Sequence, residues 1–270
     1  MSNPFYTDII RAIERTITDA GFTMVMQQIG TCDDEVKCGA VMEREKRLQG
    51  IVFLGGRFDY TPADLAMLNI PFVCCSYSNR YGTLIEGEYS SVSIADGDTA
   101  QQAVEELYRH GHRRIAALIS RPNDQSISQL RYEGYVQALE SHGIPVDPEL
   151  VISTGGFGAK DAYRAVQEKM AENVDFTALF AIADSMAIGA MRALMDAGRR
   201  IPEDCSVIAI DGLELSAYIE PPLTTLCQPM EEMGRRSAEI LLDMVRHKGS
   251  HACELLPTTL RQGRSVAAPR

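Results

Sequence analysis

The sequence predicts an α/β protein built on parallel sheets. Three observations carry that expectation. Short apolar runs alternate with amphipathic stretches of about ten to fifteen residues, the rhythm of βαβ units. Several of the helical stretches close on a glycine, at Gly21, Gly111, Gly143 and Gly198, the residue that ends helices most readily. The run 178–211 reads strand, Asp184, helix, strand, Asp211. Both acids therefore fall at carboxyl ends of strands, where open parallel sheets bind ligands.

Taken in order, residues 7–20 predict a helix with Ile9, Ile10, Ile13 and Ile17 on its apolar stripe. Residues 22–27 read as a strand, 38–48 as a helix with a charged face, and 50–54 as a buried strand before Gly55 and Gly56. A short helix over 62–68, a strand over 71–75 and another over 92–94 follow. A helix over 98–110 leads to a strand over 115–119. A helix over 126–142, a strand start at 150–153 and a helix over 159–172 complete the approach to the central run. There, strand 178–182 precedes a helix from Ser185, with Met186, Ile188, Gly189, Met191, Leu194 and Met195 at spacings of three and four. Strand 206–210 comes next, then an amphipathic helix over 231–246 and a last strand over 254–260. No repeat, low-complexity segment or composition-marked linker interrupts the pattern.

A chain of 270 residues that is 45% hydrophobic can bury a large core, in one domain or two. Its net charge of −11 argues against a bare nucleic-acid surface. No run of eighteen apolar residues occurs, so no membrane helix is expected, and the N-terminal MSNPFYTDII has no signal-peptide pattern. Seven cysteines without a CxxC pair suit reduced thiols in the cytoplasm. Cys74, Cys75 and Cys205 lie in or beside apolar runs and read as buried small hydrophobes. There is no G-x-S-x-G, P-loop or H-E-x-x-H pattern. STGGFGAK at 153–160 lacks the ending of a phosphate loop, and the five histidines are not at metal-ligand spacing. His112, inside GHRR, reads as a residue that shapes the turn from helix to strand.

Several motifs occur together and in a specific order. They are SNPFYTDIIRAIE at the start, HGHRRIAAL at 110–118, RYEGYVQAL at 131–139, ADSMAIGAMRALMDAG at 183–198, RIPEDCSVIAIDG at 200–212, PPLTTLCQPMEEMG at 221–234 and LPTTLRQGRSV at 256–266. With them the sequence resembles, over nearly its whole length, the effector-binding core of the LacI/GalR family of bacterial transcriptional regulators. The resemblance implies a periplasmic-binding-protein-like type I fold: two similar doubly wound parallel-sheet subdomains with a ligand cleft between them. It implies crossings near Tyr108, Gln228 and Gly249, hence an N-terminal subdomain of 1–108 plus 228–249 and a C-terminal one of 109–227 plus 250–270. It further implies a small-molecule effector, a sugar or related metabolite, a homodimer, and operator DNA reached through a helix-turn-helix headpiece. No cofactor, metal or membrane is called for. Members carry an apolar strand immediately before the S-N-P-F motif, where this sequence has Met1. The sequence is therefore read as lacking that first strand and the headpiece, as a piece of a longer protein or from an internal start.

The residues themselves suit a polyol: Arg offers a planar fork of donors, and carboxylates accept from hydroxyls. By resemblance, Arg131 matches the family's effector-contacting arginine, Asp211 the aspartate that ends its V-x-G-[FY]-D segment, and Gln228 a position that reaches the ligand in some members. Asp98 matches an acid used on sugar hydroxyls by a gapless count back from Gly111, with Asp96 the rival if the register shifts. Asp184 stands where many members carry the second residue of an N-D pair. Asp98 and Asp184 also read as helix N-caps, Asp184 the more so. Phe5 and Tyr6 match cleft-lining aromatics, although Phe5 also reads as core. Phe157, after Gly155 and Gly156, matches an aromatic that stacks on effectors. Ala183 and Gly212 depart from the family's polar residues. The rival readings are a periplasmic-type sugar receptor of a transport system and, further off, a sugar- or nucleotide-modifying enzyme.

Overall fold

The computed structural model describes residues 4–30, 34–85 and 87–269. They form two compact units, 4–94 with 229–257 and 95–228 with 258–269. The first begins with α1 (Phe5–Asp19), which buries Phe5, Ile9, Ala12 and Ile13. Helix α2 (Glu35–Lys46) starts where the Asp34 carboxylate accepts from the Lys37 amide at 3.0 Å. Then come β1 (Ile51–Leu54), the one-turn α3 (Pro62–Leu65), β2 (Phe72–Cys75) and β3 (Ser91–Ser93).

The chain passes into the second unit with α4 (Asp96–Arg109), β4 (Ile115–Ile119), α5 (Ile127–Ser141), β5 (Val151–Ser153), α6 (Ala159–Ala171), β6 (Ala178–Ala181), α7 (Asp184–Asp196), β7 (Ser206–Asp211) and β8 (Thr224–Cys227). It returns to the first unit for α8 (Met230–His247) and β9 (Cys253–Leu255), and ends in the second with β10 (Thr259–Arg261).

The first sheet has the order β1-β2-β3-β9, all parallel. The second has the order β10-β8-β7-β6-β4-β5, parallel except for β10 against β8. The parallel α/β expectation holds. In the second sheet β4, β6 and β7 are buried along their whole length, which is why they read as unbroken apolar runs rather than alternating ones. Helix pairs meet at glycines: an added Cβ on Gly134 would stand 2.1 Å from the Gly97 carbonyl oxygen, and one on Gly189 2.0 Å from that of Ala159. Cys74, Cys75 and Cys205 are buried free thiols. His112 is buried with both ring nitrogens engaged, by the Thr177 hydroxyl at 3.0 Å and the Ala267 carbonyl at 2.8 Å.

Three expectations are corrected. Residues 22–27 form no strand, and Val25 and Met26 stand 52% and 55% exposed. A strand forms only where its backbone groups find a ladder, and among the described residues none pairs with this segment or with the outer edge of β1. The single strand at 254–260 is two strands in two sheets, β9 beside β3 and β10 beside β8, broken around Pro257, which has no N–H to give. The crossings expected near Tyr108 and Gly249 also fall elsewhere, at 94–95 and 257–258. Helix α4 belongs wholly to the second unit because it packs along α5, and the segment after Gly249 stays in the first unit until β9 has paired.

Candidate binding site

At the carboxyl end of the second sheet, the residues after β6, β7 and β8 converge on Arg131. Ser126 caps α5 by accepting from the Ser128 amide at 3.1 Å, which sets the helix so that Arg131 turns inward. Arg131 Nε donates to Asp96 Oδ1 at 2.9 Å, and Nη1 donates to the Ile182 carbonyl at 2.5 Å and, more loosely, to Asp211 Oδ1 at 3.4 Å. Gln228 Nε2 donates to the same Asp211 oxygen at 2.8 Å. Arg131, Asp96, Asp211 and Gln228 are all buried, none more than 5% exposed. The Gln228 Oε1 atom is buried without a hydrogen-bond donor, an acceptor left over in a site otherwise paired.

Asp211 ends β7 in an unusual backbone conformation, φ 137°, followed by Gly212 at φ 79°. A side chain at position 212 is sterically excluded: a Cβ there would meet Cys227 Sγ at 2.5 Å and its Cα at 2.7 Å. Glycine at this position is thus suited to the close approach of the strand beside it. Burial pushes the Asp211 carboxyl up to about 7, with the nearby Asp184 charge adding to the rise and Arg131 and Gln228 opposing it. Burial likewise raises Asp96 against the pull of Arg131.

Asp184 lies beneath this cluster and is fully buried. Its Oδ2 accepts from the Leu213 amide at 2.8 Å and the Ser216 hydroxyl at 2.6 Å, and its Oδ1 from the Thr225 hydroxyl at 2.6 Å. Arg261 Nη2 stands 3.9 Å away and donates to the Leu213 carbonyl at 3.1 Å. Asp184 makes no side-chain cap to its own helix. Its lone pairs tie down the 212–217 loop that follows Asp211.

The other sequence-derived positions lie as follows. Asp98 is exposed on the first turn of α4, and Asp96 is the acid that reaches Arg131. Phe157 is half-buried in the loop between β5 and α6, on the same carboxyl end of the second sheet. Phe5 and Tyr6 belong to the first unit. Phe5 is buried, edge-on to Tyr6 at 5.1 Å, and the Tyr6 hydroxyl lies 2.8 Å from where Gly55 would carry a Cβ, just past the end of β1. Sequence reasoning missed Ser216, Thr225 and Arg261, whose roles arise only when β8 comes beside β7 and β10 beside β8. It also missed Glu35, which in the first unit accepts from the Arg57 amide at 2.7 Å and from the Tyr60 hydroxyl. Among the described residues, no group of His, Cys, Asp and Glu could hold a metal ion, and no helix is long and apolar enough to cross a membrane.

A doubly wound unit with a buried Arg–carboxylate cluster at its strand ends has the layout of a small-molecule-binding protein. Comparison with known proteins agrees. Residues 104–266 match the family described as a periplasmic binding protein-like domain. The transcriptional regulator MalR of Clostridium butyricum is 34% identical over 262 residues, spanning 96% of this chain and 77% of that protein. The transcriptional repressor CytR of Escherichia coli K12 is 33% identical over 260 residues, spanning 94% of this chain and 74% of that protein. Among solved structures, a complex of the regulator CelR with cellobiose superposes with a TM-score of 0.85 at 30% identity, covering 98% of this chain and 80% of that one. A LacI family regulator from Enterococcus faecium with bound ribose gives a TM-score of 0.82 at 26% identity, covering 99% and 96%. The chain belongs to the LacI family of transcriptional regulators and is its effector-binding core. The transport-receptor alternative gives way, since these relatives are regulators.

Proposed function

We propose that this core binds a neutral sugar or a closely related polyol, and that binding changes operator affinity in the intact regulator. The observation that carries the reading is the buried cluster of Arg131, Asp211 and Gln228, with Gln228 Oε1 an acceptor still in need of a donor. Sugar hydroxyls donate to Gln228 Oε1 and to the Asp211 carboxylate, and the half-buried ring of Phe157 offers an apolar face to a pyranose or furanose. Asp96 takes the place given to Asp98, and Asp184 acts through the loop that follows Asp211. The cellobiose and ribose found with two relatives support a sugar over a charged metabolite.

Ligand binding works by population shift: the effector stabilises the conformation it binds better. The protein acts in the cytoplasm, without catalysis, as a homodimer. Leu215 and Tyr218, 63% and 78% exposed on adjoining positions of one surface turn, support a face for the second copy, which sedimentation of wild type against Tyr218→Asp measures.

The test of the main reading is a thermal-shift screen over neutral sugars, sugar acids and nucleosides, followed by calorimetry on the best hit. A ligand at about a hundred times its dissociation constant adds roughly 2.7 kcal/mol to stability. Gln228→Ala should weaken that hit about tenfold or more while leaving the melting curve near wild type. Stabilisation by sugar acids alone, or full affinity in Gln228→Ala, would overturn the assignment.

A further inference from the structure

The buried charges around Arg131 do not balance. One guanidinium, Arg131, faces two buried carboxylates, Asp96 and Asp211. The groups packed around Asp211 are Arg131 of α5, Asp96 of α4, the fully buried Asp184 of α7, the neutral Gln228 after β8, and Arg261 of β10. Arg261 already stands against Asp184 at 3.9 Å and donates to the Gly212 carbonyl at 3.4 Å, so it answers the third carboxylate. Arg131 gives its Nε to Asp96 at 2.9 Å and the shorter of its Nη1 bonds to the Ile182 carbonyl at 2.5 Å, leaving Asp211 a contact of 3.4 Å. Asp211 is the carboxylate left short of positive charge. A buried charge without a full partner is neutralised by a proton rather than endured.

We propose that Asp211 carries an exchangeable proton, so that the effector site exists in two charge states. This deepens the sugar-binding reading and rests on it for its regulatory meaning. With Asp211 ionised, the cluster accepts hydroxyl protons, and Gln228 Nε2 donates to Oδ1 as observed. With Asp211 protonated, its O–H is a donor, and rotation of the Gln228 amide presents Oε1, the acceptor now without a partner, to receive it. The proton is drawn from and returned to water, and no other bond changes.

The experiment is a carboxyl carbon-13 NMR titration of the ligand-free 270-residue chain from pH 5 to pH 9, with Asp211 assigned by the signal lost in Asp211→Asn. The Asp211 carboxyl should titrate more than two pH units above the ordinary aspartate value of about 3.9. A second variant keeps the outcome readable if Asp211→Asn folds poorly. In Asp96→Asn, Arg131 has one carboxylate to serve, and the Asp211 midpoint should fall by about one unit or more, while a structural role alone would leave it fixed. An Asp211 signal that is flat above pH 5, or a midpoint unmoved in Asp96→Asn, overturns the proposal. Because no ligand is present, a failed sugar screen leaves the proton standing, and a failed titration leaves the sugar reading standing.

Discussion

Asp211 ties binding to pH through its place in the fold. Its carboxyl sits near 7 in the folded chain, raised by burial, against about 3.9 when unfolded. A raised carboxylate contributes stability that is fully present below the unfolded value and is lost as pH rises through the folded one. Wild type should therefore lose stability relative to Asp211→Asn between about pH 4 and pH 7, at no more than about 1.4 kcal/mol per pH unit. Urea melts of both proteins at several pH values check this, and parallel curves would refute it. The set of residues behind this site was partly legible in the sequence. Arg131, Asp211 and Gln228 could be named from motif order and strand ends. Asp98 and Asp96 could not be told apart, because two positions differ by about 200° around a helix and only the packing of α4 on α5 decides which faces Arg131. Arg131 was open to reading as a free anchor for a ligand. In the structure it is held by three acceptors, so truncating it would strand two buried carboxylates and cost the fold as well as the ligand.

At the level of elements, the buried strands announced themselves by composition and the helices by period. What escaped was pairing. The 22–27 segment has the apolar composition of a strand but no neighbour among the described residues, and 254–260 has the composition of one strand but serves two sheets. Neither fact is local, so neither is written in the segment concerned. The helix contacts give a sharper test. Replacing a mid-helix glycine by alanine normally gains about 1 kcal/mol of helix propensity. At Gly134 the added methyl would stand 2.1 Å from the Gly97 carbonyl oxygen and 2.9 Å from the Ala100 methyl. Gly134→Ala should therefore destabilise the protein by about 1–3 kcal/mol, the usual cost of overpacking. Chemical denaturation followed by circular dichroism measures it. A stabilised variant would mean that α4 and α5 can part at little cost.

At the scale of the whole molecule, 37 acidic against 26 basic residues leave a net charge of −11. Phosphate contacts supply most non-specific affinity for DNA and depend on clustered cations. The 270-residue chain should show no sequence-specific DNA binding in a gel-shift assay at physiological salt; a specific complex at nanomolar protein would contradict this. The division into two units was legible through the family resemblance. Two of its boundaries were not, because they depend on which strand β9 joins and which helix α4 lies against.

That division has a consequence for the order in which the chain acquires its structure. The first unit draws on residues 229–257, and α8 lies across α1 and the face of β1, β2 and β3. Until a growing chain has delivered that helix, α1 and the strands β1, β2 and β3 hold an apolar face that α8 has yet to close. The second unit has its five parallel strands by residue 227 and waits only for the edge strand β10 and the tail around Ser265. The half that is made first is thus finished late, through contacts of the long sequence separation that slows folding in general.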